Sequence, residues 1–143
     1  MLVSLVANFV AQVSKTIVNA IQIRRWDPRM LWSTGGMPSS HSATVTSVST
    51  MVGIVDGWNS TTFAIAVTVA CVVMYDAQGV RLAASRQAEV LNDITQELFD
   101  LHPQFKVARL KELLGHTPMQ VIVGASLGVA IAFLFHYWVG LRA

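Results

Sequence analysis

The chain of 143 residues holds a single cysteine, which excludes a disulfide scaffold and a zinc cluster built on cysteines. Charge is scarce as well. Charged residues make up 13% of the sequence, against about 25% in an ordinary soluble domain. There is no basic stripe: ten Lys/Arg and eight Asp/Glu give a net charge of +2 and lie in mixed connections, so nucleic-acid binding has little support. No internal repeat and no low-complexity segment is present. The N-terminus lacks the basic n-region of a cleavable signal peptide, and its apolar run continues past the length of an h-region. Hydrophobic residues reach 53% and mean hydropathy is +0.52, the reverse of a disordered composition. These absences leave a small integral membrane protein, with a greasy soluble bundle as the alternative, in one domain covering 1–143.

Four apolar stretches run roughly over 2–22, 38–55, 61–80 and 118–139. A bilayer span needs about 20 mainly apolar residues, so the expected fold is an all-α polytopic bundle of about four transmembrane helices. In the first stretch Ser4, Asn8, Gln12, Lys15, Asn19 and Gln22 recur at helical spacing, a polar stripe expected to face the protein interior. The second stretch is short and rich in Ser and Thr. The turn Asp56-Gly57-Trp58-Asn59-Ser60 makes a hairpin of the second and third helices. Gly124-Ala125-Ser126-Leu127-Gly128 offers a small-xxx-small packing face. Trp58, Tyr137 and Trp138 suit an interfacial belt. Region 86–101 reads as one or two amphipathic surface helices, broken at His102-Pro103.

Basic residues concentrate in two connections. Arg24, Arg25 and Arg29 lie in 23–37, and Arg81, Arg86, Lys106, Arg109 and Lys111 in 81–117. With four spans both connections share one side, which the positive-inside rule makes cytoplasmic. That topology brings Arg24, Ser39, Ser40, His41, Arg81, His116 and Thr117 to one membrane face. Two helix N-termini, each with a proline near its first turn (Pro38, Pro118), then point into one polar layer. Helix N-termini and arginines both favour phosphate, and two histidines supply a nucleophile and a proton donor near neutral pH. Asp76, a costly carboxylate near the end of an apolar helix, has Arg81 as its natural partner.

The string Gly35-Gly36-Met37-Pro38-Ser39-Ser40-His41-Ser42-Ala43 resembles the Pro-Ser-x-His motif of the type-2 phosphatidic-acid phosphatase and vanadium haloperoxidase superfamily. Three more strings resemble its divergent bacterial and plant branch, the acid phosphatase/vanadium-dependent haloperoxidase-related membrane proteins. They are Ala11–Lys15, Tyr75–Arg81 continuing to Gln87–Asn92, and Leu110–Pro118. The resemblance implies that His116 attacks phosphorus to form a phosphohistidine and that His41 protonates the leaving alcohol. It implies phosphate binding by Lys15, Arg24, Ser39, Ser40 and Arg81, with no metal or other cofactor and vanadate as an inhibitor. The substrate class implied is a lipid phosphate or diphosphate, polyprenyl or phosphatidic-acid-like, met at the cytoplasmic face of a bacterial plasma membrane or a plant organelle membrane. The chain departs from the pattern at three places. Lys15 and Arg24 are nine residues apart, farther than in the family. Leu110 stands where the last motif has arginine. Gln120 stands where the family has an acid beside the nucleophile, so Asp76 or Glu112 is expected to support His116. Superfamily membrane enzymes usually have more spans than this chain, which makes a homodimer plausible. The alternative reading is a weakly active or inactive phospholipid-binding or scaffolding membrane protein; a soluble haloperoxidase is disfavoured by the apolar spans.

Overall fold

The protein is described from a computed structural model, over residues 1–24, 36–101, 110 and 115–140. Among these residues all regular structure is helical: α1 Leu2–Ile23, α2 Ser40–Asp56, α3 Thr61–Gln78, α4 Val80–Leu101 and α5 Pro118–Gly140. The four apolar stretches become α1, α2, α3 and α5 nearly residue for residue. The amphipathic region becomes one helix, α4, which starts six residues earlier than expected, directly after Gly79.

The bundle is built inside out relative to a soluble protein. Most of its buried residues are small or hydroxylated, among them Ala7, Ala11, Ala43, Ala132, Ser42, Ser47 and Thr50. Its large apolar side chains point outward, as with Phe9 at 67%, Ile65 at 60% and Leu134 at 67% exposed. Lipid is as apolar as leucine, so helices in a membrane associate through close packing of small residues and not through burial of large ones. Among the described residues three stretches are long and apolar enough to cross a membrane: Leu2–Ile21, the stretch beginning at Thr61, and Pro118–Gly140. This is an all-helical membrane bundle.

The expected second span is a different kind of element. α2 has only 17 residues, and those it buries are Ser40, Ser42, Ala43, Thr46, Ser47, Ser49, Thr50 and Gly53. It is the central helix, packed against α1, α3 and α5, so protein covers most of it in place of lipid. Its hydroxyls are satisfied along the helix: Thr44 donates to the Ser40 carbonyl at 2.8 Å, Thr46 to Ser42 at 2.7 Å and Ser47 to Thr44 at 2.8 Å. A polar helix is thereby buried without orphaned groups.

The tightest contact is between α2 and α5, which run parallel from one end of the bundle. A Cβ on Gly124 would overlap the Ser39 carbonyl oxygen, and one on Gly128 would overlap the Ala43 carbonyl oxygen and the Thr46 hydroxyl. The expected packing face is thus the seam against α2. Thr46 also donates across it to the Ala125 carbonyl at 3.0 Å. Such a bond contributes about 0.6 kcal/mol in a membrane, at most about 1.7, so the glycine-licensed approach of two backbones sets the geometry.

α1 and α3 run antiparallel to this pair. Val3 and Ala7 form a cluster with Ile131 and Ala132, and Asn8 donates to Thr44 at 3.2 Å. The most buried face of α1 is Val3-Ala7-Ala11-Lys15. Of the expected polar stripe, Ser4, Asn8 and Gln12 sit one residue off that face, half-buried at its edge, and Lys15 lies on it. Alanines let the backbones close up; the bulkier Asn8 and Gln12 are pushed to the flank. The α2–α3 turn carries Gly57 at φ 98°, the left-handed region that favours glycine. Ser60 caps α3 by accepting from the Phe63 N–H at 3.1 Å, and Trp58 meets Phe63 edge-on at 5.1 Å.

Candidate functional site

The site forms where the N-termini of α2 and α5 meet the C-terminus of α3. At α2, Ser39 is the N-cap: its hydroxyl oxygen accepts from the Ser42 N–H at 3.3 Å and the Ser42 hydroxyl at 3.0 Å. That cap leaves His41 in the first turn, exposed. At α5, Thr117-Pro118-Met119-Gln120 is a capping box with proline at the first helical position. Gln120 N–H donates to the Thr117 hydroxyl at 3.4 Å, and Thr117 N–H donates to Gln120 Oε1 at 3.1 Å. His116 immediately precedes the box and is 2% exposed.

Two bonds hold His116, and a third locks the turn beside it. Its backbone N–H donates to the Ala77 carbonyl at 3.1 Å, satisfying one of the last carbonyls of α3, which no intrahelical donor reaches. Its Nδ1 lies 3.2 Å from Gln120 Oε1. The Gln120 backbone carbonyl accepts from Ser39 N–H at 3.0 Å, locking the first turn of α5 onto the cap of α2. The orientation of the amide fixes one ring hydrogen. Thr117 N–H can only donate, so the oxygen of Gln120 must face it. The same oxygen can only accept from His116, so Nδ1 carries the hydrogen.

The ring of His41 lies 6.4 Å from that of His116 between centroids, with the planes inclined at 55°. Two residues 75 positions apart in the chain are therefore brought to one place by the Gly124 contact. Lys15, at 1% exposure, is the most deeply buried cation described. From the Asn8–Thr44 bond it lies seven residues, about 10 Å, along α1 toward this end of the bundle, while His41 lies about 5 Å from Thr44 in the same direction. Gln12 Oε1, one turn away on α1, is buried and accepts no hydrogen bond.

The other expected residues are distributed as follows. Ser39 and Ser40 are buried at the α2 cap, at 0% and 2% exposure, with the Ser39 oxygen engaged in capping. Asp76 is half-buried in the last turn of α3. Around a hairpin closed by the 57–60 turn, position 76 falls level with position 41. Arg24 ends α1 in the left-handed conformation, φ 50° and ψ 28°, and is exposed. It stands nine residues, about 14 Å, beyond Lys15 along the helix axis. Arg81 is in the first turn of α4, with its side chain outside the described residues, and so is the whole of Glu112. Among the described residues no three His, Cys, Asp or Glu side chains group as metal ligands.

Two residues play structural parts that the sequence reading does not give them. Gln120, which stands in place of the family's acid and is expected to accept from the His116 imidazole, is also a cap residue, and Thr-x-x-Gln ahead of an apolar run is itself a capping signature. Asn92 is the other. It is 5% exposed on α4, donates to the Leu110 carbonyl at 2.9 Å and accepts from the Leu110 N–H at 2.9 Å. This two-point amide clamp anchors the chain six residues ahead of His116; the string Gln87–Asn92 contains the residue but does not name its partner.

Comparison with known proteins agrees with this architecture. No solved structure matches the chain. The uncharacterized membrane protein YuiD of Bacillus subtilis (strain 168) is 38% identical over 148 residues, covering 96% of this chain and 94% of that protein. Residues 1–131 match the family described as the Divergent PAP2 family, and the chain belongs to that family.

Proposed function

We propose that the protein is a metal-independent lipid phosphatase acting on a phosphate or diphosphate head group at the cytoplasmic membrane face. The observation that carries the reading is the 6.4 Å approach of the His41 and His116 rings, one buried and oriented, the other exposed. In the first step Nε2 of His116 attacks phosphorus. The ester P–O bond breaks, and the proton on His41 passes to the departing oxygen, releasing the lipid alcohol. In the second step water gives its hydroxyl to phosphorus and its proton to His41. The P–N bond breaks, and phosphate leaves with His116 restored. Lys15, at the same end of the bundle, compensates the phosphate charge, with Arg24 and Arg81 as the further cations of the reading and two helix N-termini adding partial positive charge. Vanadate is expected to inhibit by taking the place of phosphate. Two chains pairing as a homodimer would add the spans that one chain lacks relative to the larger superfamily enzymes.

The test is phosphate release from a panel of polyprenyl phosphates, polyprenyl diphosphates and phosphatidates by the purified protein in detergent. The expected result is release by the native chain and none by His116→Ala, with acid-labile phosphate trapped on His116 after rapid quenching. Equal release by both proteins would sink the assignment. Gln120 favours a second reading, a lipid-phosphate binder without turnover. A neutral amide orients the imidazole but does not stabilise an imidazolium by charge, and the corresponding carboxylate-to-amide change in a Ser-His-Asp triad is very costly. Binding of a lipid phosphate without release, equally weakened in both histidine variants, would establish that alternative.

A further inference from the structure

α2 buries three sides and leaves one open. The open stripe is His41, Val45, Val48, Val52 and Val55, at spacings of four, three, four and three; the residues that α2 buries against the bundle, from Ser40 to Gly53, are all small or hydroxylated. The stripe has one titratable side chain, and it stands at the top. Below His41, α3 runs alongside, and a groove of about 340 Å³ opens between the two helices, lined by Thr44, Val45, Val48, Ala66 and Val69. Val48 and Val69 are 37% and 52% exposed. The groove begins one helical turn from His41, on the same face of α2, and descends away from the site toward the 57–60 turn.

We propose that this groove seats the first part of the hydrocarbon chain of a lipid phosphate whose head group lies between His41 and His116. The inference rests on the phosphatase reading of those histidines and names which helix faces the tail of the substrate follows. Continuity selects the occupant. An apolar trough leading from an imidazole down the outer face of a membrane bundle fits an amphiphile with its ester oxygen at the junction, beside the proton donor. A chain moving from bilayer to groove gains little hydrophobic free energy, because lipid is as apolar as valine. The groove therefore supplies register in place of affinity: it aims the ester oxygen at His41, the kind of positioning that raises turnover more than binding.

The experiment uses the full chain in phospholipid nanodiscs. The probe is a long-chain alkyl phosphate with a diazirine in its first few carbons, compared with the alcohol of the same chain. Crosslinked positions are read by peptide mass spectrometry. The expected result is labelling of 44–48 and 66–69 that the phosphate probe achieves roughly tenfold better than the alcohol, a 1.4 kcal/mol difference. Val48→Trp and Ala66→Phe fill the groove from opposite walls and should each remove that labelling, whereas Leu134→Trp on the outer face of α5 should not. Equal labelling by both probes, or phosphate-dependent labelling confined to α5, would overturn the proposal. The two readings part cleanly in the same samples. Groove labelling without phosphate release defeats the phosphatase reading and keeps the groove. Phosphate release with labelling elsewhere defeats the groove and keeps the phosphatase.

Discussion

The N-termini of α2 and α5 are built from the same parts and do opposite things with their histidines. Each has a hydroxyl cap, Ser39 or Thr117, and each has a histidine within two residues of it. At α5 the histidine precedes the cap, is buried, and is held by a backbone bond to Ala77 and a side-chain bond to Gln120. At α2 it follows the cap and lies on the open side of the first turn. Position relative to the cap, one residue before it or two after it, decides whether the imidazole is buried or exposed. A nucleophile benefits from the first arrangement, because its lone pair must be held in line with phosphorus. A proton donor to a departing lipid alcohol benefits from the second, because the alcohol leaves toward the membrane.

The sharpest way to break that comparison is to remove the exposed ring and vary the leaving group. Replacing His41 by Ala should slow release from an alkyl phosphate by about 10²–10⁴-fold, the usual worth of a positioned general acid. It should barely affect an aryl phosphate whose leaving group needs no proton; equal slowing of both substrates would contradict the division of roles. Next in size is the seam that joins the two termini. Gly128→Leu forces a side chain into the Ala43 carbonyl and the Thr46 hydroxyl, and overpacking of this kind costs about 1–3 kcal/mol. The measurement is the denaturant midpoint of the detergent-solubilised protein, expected to fall, with activity lost in parallel.

Gln120→Glu sharpens the comparison from the other side. A carboxylate keeps the cap, because Glu and Gln serve equally at this position of a capping box, and it adds a charge that stabilises the imidazolium. Release should rise about tenfold if charge at His116 limits the rate, equivalent to 1.4 kcal/mol. The acidic limb of the pH–rate profile should move to higher pH, since the paired imidazole holds its proton longer. An unmoved limb would show that Gln120 orients the ring and nothing more. The smallest effects belong to the caps. Ser39→Ala and Thr117→Ala should each cost about 1 kcal/mol of stability. Only Thr117→Ala should also reduce turnover by more than that stability loss explains, because its partner Gln120 also holds His116.

Much of this was legible in the primary structure because it depends on periodicity and composition. The boundaries of α1, α2, α3 and α5 followed the apolar runs, and the hairpin turn followed from Asp56-Gly57. The meeting of the Pro-Ser-x-His end with the Gly-His-Thr-Pro end followed from counting spans between them. Other features were misread for physical reasons. α2 looked like a marginal span because its hydroxyls lower its hydropathy; those hydroxyls in fact face three neighbouring helices. The polar stripe of α1 looked like the inner face, but alanine at 7 and 11 packs closer than asparagine or glutamine and took that place. Gln120 departs from the family's acid and, as expected of a glutamine there, faces the His116 ring; its part in the cap depends on the local backbone.

What the sequence determined by itself is the set of parts: three apolar helices, one hydroxyl-rich helix, two capped N-termini and their histidines, all consequences of short-range pattern. What only the tertiary structure decided is which of those parts touch. The separation of the two imidazoles depends on Gly124 letting α5 lie against the backbone of Ser39, and the burial of His116 depends on a carbonyl that α3 leaves open at Ala77. Both are contacts between groups far apart in the chain, set by backbone approach distances that residue identity permits but does not specify.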